Sequence, residues 1–137
     1  MKHYKYYIGI DTGKNTGFAV WNKAEKRLEV VETILIHQAM DKVREFDKNE
    51  ALIRVEDARQ RKWFGSNASA KQQGAGSIKR DATIWEDFLK DLGYNFEMVA
   101  PKNNKTKVSA DQFAKMTKWD KRTSEHSRDA VGLIFGI

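Results

Sequence analysis

The chain has 137 residues, 40% hydrophobic and 11% aromatic, which suits a single folded domain spanning residues 1–137 and excludes a disordered chain. It contains no cysteine, so a disulfide scaffold and a thiolate metal centre are excluded, and only oxygen and imidazole remain as metal ligands. With 25 Lys and Arg against 19 Asp and Glu, the net charge is +6, a balance that favours negatively charged partners, nucleic acid first.

Residues 4–10 (YKYYIGI) read as a strand that ends at Asp11. The run DTGKNTG follows as a turn, with Gly13 and Gly17 free to take positive φ. Residues 17–22 and 27–36 read as the next two strands, separated by a turn at Lys23–Lys26, so the opening third is a β-meander. Met40, Val43 and Phe46 repeat at helical spacing and predict a short helix over 38–47. Residues 51–55 (ALIRV) form a fourth strand ending at Glu56.

A long helix is predicted from Ser69, where Ser69 and Gln72 fit a capping box. Its apolar stripe is Ile84, Trp85, Phe88, Leu89 and Leu92, and Gly93 stops it. Residues 94–100 alternate as a fifth strand ended by Pro101. Ser109 and Gln112 cap a helix over 110–117, and a last helix runs from about 124. The order βββαβαβαα describes one mixed α/β domain with a five-stranded sheet.

Three acidic residues stand where chemistry is usually placed. Asp11 and Glu56 end the first and fourth strands; as parallel neighbours, those strands would set their carboxyl ends about 4.8 Å apart on one sheet edge. In the last helix, Ala130, Leu133, Ile134 and Ile137 form the predicted buried stripe, which His126 and Asp129 extend backwards. A cluster of carboxylates repels itself unless a cation neutralises it. Magnesium suits such a site because it prefers hard oxygen ligands and keeps several waters. Two such ions activate water and stabilise the leaving oxygen in phosphodiester cleavage. His126 fits as a further ligand or as the group that positions or deprotonates water. The plainer alternatives are a turn-forming Asp11, a surface Glu56 beside Arg54 and Arg59, and an N-terminal helix flank at His126 and Asp129.

From Arg59 to Arg80 the chain has no acidic residue but carries Arg59, Arg61, Lys62, Lys71, Lys79 and Arg80 around Trp63 and Phe64. Such a stretch neutralises phosphates, and its aromatics stack on unpaired bases or wedge into a base step. Lys102, Lys105 and Lys107 follow the fifth strand, where a lysine can hold the scissile phosphate or stabilise transition-state charge. Gly74 and Gly76 interrupt the long helix at a cost in stability, which close packing, as at a dimer interface, would explain.

These residues together resemble the RuvC-type Holliday junction resolvases. IGIDTGKNTG is similar to their first motif, an apolar strand ending in a catalytic aspartate before a glycine turn. RVEDARQRKWFGSNASAKQQGAG resembles the second, a catalytic glutamate followed by an aromatic loop and a small-residue helix. MVAPKNNKTKVSADQF resembles the strand with its basic segment, and SEHSRDAVGLI the closing helix with an accessory His or Asp three positions before the final aspartate. The resemblance implies an RNase H-like α/β fold, five-stranded mixed sheet and flanking helices. It also implies a homodimeric endonuclease that uses Mg²⁺ or Mn²⁺ and nicks two strands of a four-way DNA junction symmetrically.

By the same resemblance Asp11, Glu56 and Asp129 are metal ligands, with His126 in the accessory place. Trp63 or Phe64 takes the position that enters the junction, and Lys102, Lys105 or Lys107 that of the active-site lysine. The chain is compact, like the versions carried by phages. The rivals are a related nuclease acting on RNA–DNA hybrids or flaps, and a non-catalytic nucleic-acid-binding domain. The Asp-Thr-Gly triplet also occurs in aspartic proteases, which are nearly all β. A strand–Asp–Gly turn opens the ATP-binding fold of sugar kinases, which needs two such domains. No run is apolar enough to span a bilayer and residues 1–7 lack a signal-peptide core, so a cytoplasmic location without a membrane partner is expected.

Overall fold

A computed structural model describes residues 3–60, 68–101 and 109–137; of residues 68–75, 77 and 78 only the backbone is described. The elements follow the order β1 (Tyr6–Asp11), β2 (Asn15–Asn22), β3 (Arg27–Leu35), α1 (Ile36–Arg44), β4 (Ala51–Glu56), α2 (Ala68–Leu92), β5 (Asn95–Val99), α3 (Ala110–Thr117) and α4 (Glu125–Gly132). One turn of 3₁₀ helix at Ala58–Gln60, which the sequence pattern did not announce, follows β4. Among the described residues no helix is long and apolar enough to cross a membrane.

The five strands form one sheet in the order β3-β2-β1-β4-β5. β1 pairs antiparallel with β2, and β2 with β3, as tight turns require, whereas β4 lies parallel to β1 and β5 parallel to β4. Helices α1 and α2 make the crossovers that parallel pairing needs. This is the topology of the RNase H-like fold.

Alternation along the strands divides the core between two faces. Ile8, Ile10, Phe18, Val20, Ile53 and Val55 point towards α1 and α2, where Ala39, Val43, Trp85 and Leu89 are buried against them. Tyr7, Ala19, Trp21 and Leu52 point the other way, onto Phe113 of α3 and Ala130, Val131 and Ile134 in and after α4. Leu28 and Val31 both face α3 and α4 although they are three residues apart. The pairing of β2 with β3 slips by one residue between Val20 and Trp21, and such a bulge resets the alternation.

Two glycines decide how closely α4 approaches the sheet. A Cβ on Gly9 would stand 2.2 Å from the Ala130 carbonyl oxygen, and one on Gly17 would stand 2.0 Å from that of His126. The helix backbone therefore rests directly on β1 and β2. Of the two glycines free to take positive φ, Gly13 does so, whereas Gly17 lies within β2, in the strand read over 17–22, and does not. Its missing side chain serves contact rather than a turn.

Other expectations are adjusted by packing. Ile84 is 42% exposed, and the buried stripe of α2 runs instead through Ala82, Trp85 and Leu89, because a narrower arc of the helix meets the sheet. Ile137 is 38% exposed since α4 ends at Gly132, before the helical spacing reaches it. Gly76 is exposed, and among the described residues nothing lies within 4 Å of a Cβ built there, so packing within this chain does not demand it. Ser109 and Gln112 form the predicted capping box, and Gly93 ends α2 at φ 79°. Two lysines also adopt left-handed backbone, Lys26 (φ 53°) in the β2–β3 turn and Lys118 (φ 61°) at the end of α3, where glycine or asparagine is more comfortable.

Candidate active site at the carboxyl edge of the sheet

Asp11 occupies the last position of β1, and Glu56 that of β4. Ile10 pairs with Val55 in the parallel register, so the two carboxylates belong to the next step along neighbouring strands. By alternation both lie on the side of Tyr7 and Leu52, the side that α4 covers. Asp11 is 7% exposed, an unusual place for a carboxylate with few donors nearby.

The close seat of α4 brings the rest. Its N-terminus is capped by Ser124, whose hydroxyl accepts from the Ser127 backbone N–H and also meets the Thr33 hydroxyl on β3. At the other end Arg54, on β4, donates through Nη1 to the Leu133 carbonyl at 2.7 Å and pairs through Nε with Glu97 at 3.2 Å. A cation on the last carbonyls of a helix satisfies both its free acceptors and its dipole. Held at both ends, α4 sets His126 so that Nδ1 lies 3.1 Å from Asp11 Oδ2. With the proton on Nδ1 the ring donates to Asp11 and keeps Nε2 as its acceptor.

Burial, then the charges of Glu56 and Asp129, push the Asp11 carboxyl up to about 6, against the opposing pull of His126. Glu56, His126 and Asp129 thus all act on Asp11, from as far as 118 positions along the chain. The four predicted catalytic and metal-binding residues of β1, β4 and α4 are brought together. Among the described residues, however, no group of three or more His, Asp or Glu side chains stands close enough to hold a metal ion as they lie. The chemistry of the donor set still fits a hard divalent cation, since it offers three carboxylates, and the buried Asp11 feels the charges of the other two.

Immediately beyond Glu56 lies a second acidic group, which sequence reasoning missed. Asp57 is 4% exposed. It accepts from Arg59 Nε at 2.7 Å, Arg59 Nη2 at 3.0 Å and Gln60 Nε2 at 3.1 Å. Arg59 Nη1 continues to Glu86 Oε1 on α2 at 2.9 Å. Although burial opposes it, hydrogen bonding to Arg59 and Gln60 holds the Asp57 carboxyl below its ordinary value; Arg59 does the same for Glu86. Arg59, expected to face phosphate, spends its donors inside the protein and fixes the 3₁₀ turn to α2. Nothing local in the sequence marks a pair 27 residues apart; the signal available was only an acid two positions before an arginine.

The remaining predicted residues divide simply. Lys79 and Arg80 are exposed on α2, one turn before Thr83, whose hydroxyl accepts from Arg59 Nη1 at 3.3 Å. Lys71 lies in α2 by its backbone alone. Arg61, Lys62, Trp63, Phe64, Lys102, Lys105 and Lys107 lie outside the described residues.

No family model matches the chain, and no curated protein is similar to it in sequence.

Proposed function

We propose that the chain is a metal-dependent, structure-selective DNA endonuclease that resolves four-way junctions by paired symmetric nicks, as the RuvC-type resolvases do. The observation that carries this reading is the helix seated on Gly9 and Gly17, which brings His126 and Asp129 to the strand-end carboxylates Asp11 and Glu56. A nuclease-type arrangement on an RNase H-like fold needs carboxylates from two parallel strands and a late helix at one edge. A net charge of +6 supports a nucleic-acid substrate.

Asp11, Glu56 and Asp129 would hold Mg²⁺ or Mn²⁺. When bound, the ion would supply charge neutralisation and lower the pKa of water so that it gives up a proton more readily. The chain's own residues do the rest. Asp11 fixes the tautomer of His126, whose Nε2 takes a proton from the attacking water. Lys102, Lys105 or Lys107 would neutralise the scissile phosphate, and Trp63 or Phe64 would stack on bases opened at the branch point. Two copies would act together, since two symmetric cuts need two sites, and the exposed Gly76 of α2, with Gly74, offers a close approach for the second copy.

The test is cleavage of a synthetic four-way DNA junction in Mg²⁺, beside duplex, flap and RNA–DNA hybrid. Paired nicks in the junction are expected, falling by roughly 10³-fold in Asp11→Asn, about 4 kcal/mol of barrier, while junction binding persists. Preferred cutting of hybrid or flap would move the activity to a related nuclease. Tight binding with no cutting of any substrate would make the domain a binding module.

A further inference from the structure

A groove of about 430 Å³ opens between the β2–β3 turn and the end of α3, lined by Trp21, Lys26, Arg27, Lys118, Trp119 and Phe135 among others. It lies away from the carboxylates. Tyr6 pairs with Asn22 at this end of the sheet and Asp11 with Gly17 at the other. Five strand steps separate the two ends, about 17 Å.

Three features set the groove apart. The first is backbone conformation. Lys26 and Lys118, the two positive-φ residues other than glycine among the described residues, both line it, so lysine stands twice where a smaller or more permissive residue fits the backbone better. The second is free positive charge. Arg27 is held by Glu25 at 2.6 Å and by Glu29 at 3.7 Å, and Asp120 is exposed in the linker after α3. Among the described residues, though, Lys26, Lys118, Lys121 and Arg122 form no ion pair. The third is aromatic surface: Trp21 and Phe135 meet edge to face at 5.2 Å, and Lys121 Nζ lies 5.4 Å from the Trp119 ring centre.

The groove is also connected to the catalytic edge. The linker from Lys118 to Ser124 runs back beside β3, where Arg122 and Thr123 line a second opening of about 490 Å³ with Thr33 and Ser124. Ser124 caps the helix that carries His126. Cations therefore mark both ends of a path that finishes at the proposed cutting site. Such a line of charge with aromatic faces suits a phosphate backbone with its sugars and bases. A short acidic peptide would use the groove but has no reason to follow the linker.

Resting on the nuclease reading, we infer that this groove and linker form a second DNA contact, which holds the backbone of a junction arm about five base pairs from the cut, since duplex rises about 3.4 Å per pair.

The experiment is binding of a labelled four-way junction, read by fluorescence anisotropy without Mg²⁺ over a range of salt. Lys118→Glu with Lys121→Glu should weaken binding at least tenfold and reduce the slope of log Kd against log salt by about 2. Lys118→Asn, which suits left-handed backbone, should reduce it by about 1. Lys48→Glu with Lys90→Glu changes the net charge equally on the α1 and α2 side and should leave the slope in place. On a junction with arms trimmed to four base pairs, the unmodified protein should bind no better than the groove variant. An unchanged slope in the groove variant, an equal fall in the control pair, or tighter binding of a polyglutamate peptide than of DNA would overturn the inference. So would a protein that binds no junction at all. Cutting in Mg²⁺ with an unmoved slope would sink the groove and keep the nuclease; a groove-dependent slope without cutting would do the reverse.

Discussion

Glu56 and Asp57 are adjacent in the chain and sit in opposite electrostatic surroundings. Glu56 ends β4 beside Asp11, whose carboxyl is pushed up to about 6 by burial first and then by the charges of Glu56 and Asp129. Asp57 turns into a nest of donors from Arg59 and Gln60, which hold its carboxyl below its ordinary value. The Asp11 carboxyl is raised by burial and by neighbouring acids, and the Asp57 carboxyl is saturated with donors. The saturated group is the one a fold uses to fix a turn. A buried carboxyl of raised pKa is costly to fold and is the kind of group found where function sets the surroundings.

The contrast depends on α4, so the strongest way to break it is to lift that helix. Gly17→Ala places a methyl group against the His126 carbonyl, a backbone atom that cannot rotate away. Thermal or urea unfolding should show a loss of about 3 kcal/mol, together with loss of cleavage. Unchanged stability would mean that α4 tolerates a wider seat.

Asp11→Asn should act in the opposite direction in metal-free protein. The folded carboxyl lies near 6 against 3.8 for the free group, so the folded state binds the proton more tightly than the unfolded one. Stability is therefore expected to fall as pH rises from about 4 through 6 and to stay low above that. Removing the charge should restore about 2 kcal/mol at pH 7, less than the full linkage because an amide in that place is still buried. The melting temperature of the Asn variant in EDTA should be higher than that of the unmodified chain, and its pH dependence over this window flatter. Equal melting curves would show that Asp11 is already relieved.

For the saturated group the sign reverses, because lowered carboxyls give stability that is present above their ordinary values and lost as pH falls below about 4. Arg59→Ala should cost about 1.5 kcal/mol in urea unfolding at pH 7, between the values for exposed and buried pairs because the guanidinium is partly solvated. A variant that instead weakened DNA binding with no change in stability would return Arg59 to the phosphate contact expected from sequence.

The strands, the opening meander and the edge on which Asp11 and Glu56 meet were legible because alternation, turn residues and strand-end acids are local signals, whereas the place of the fifth strand beside the fourth was not. Ser109 with Gln112 was legible for the same reason. The contact role of Gly17 was not legible because a glycine needed for close contact looks the same in sequence as one needed for positive φ; only the carbonyl above it tells them apart. The ion pair of Arg59 with Glu86 was not legible because Glu86 stands 27 residues away, on a helix whose rotation the apolar stripe had placed slightly off, with Ile84 inside. Lys26 and Lys118 carried no signal, since backbone strain is invisible until the turns are built.

His126 and Asp11 are separated by 115 positions, and the helix that joins them rests on the sheet through backbone contact and few large side chains. Peeling that one helix away would leave the two strand-end acids without histidine or third carboxylate, while the meander and the α1/α2 face kept their own core. A chain in that condition, whether newly made or thermally opened, would be a folded body without a blade. On the proposed reading, the distance between the two halves of the site acts as a safety catch, with cutting reserved for molecules whose fold is complete.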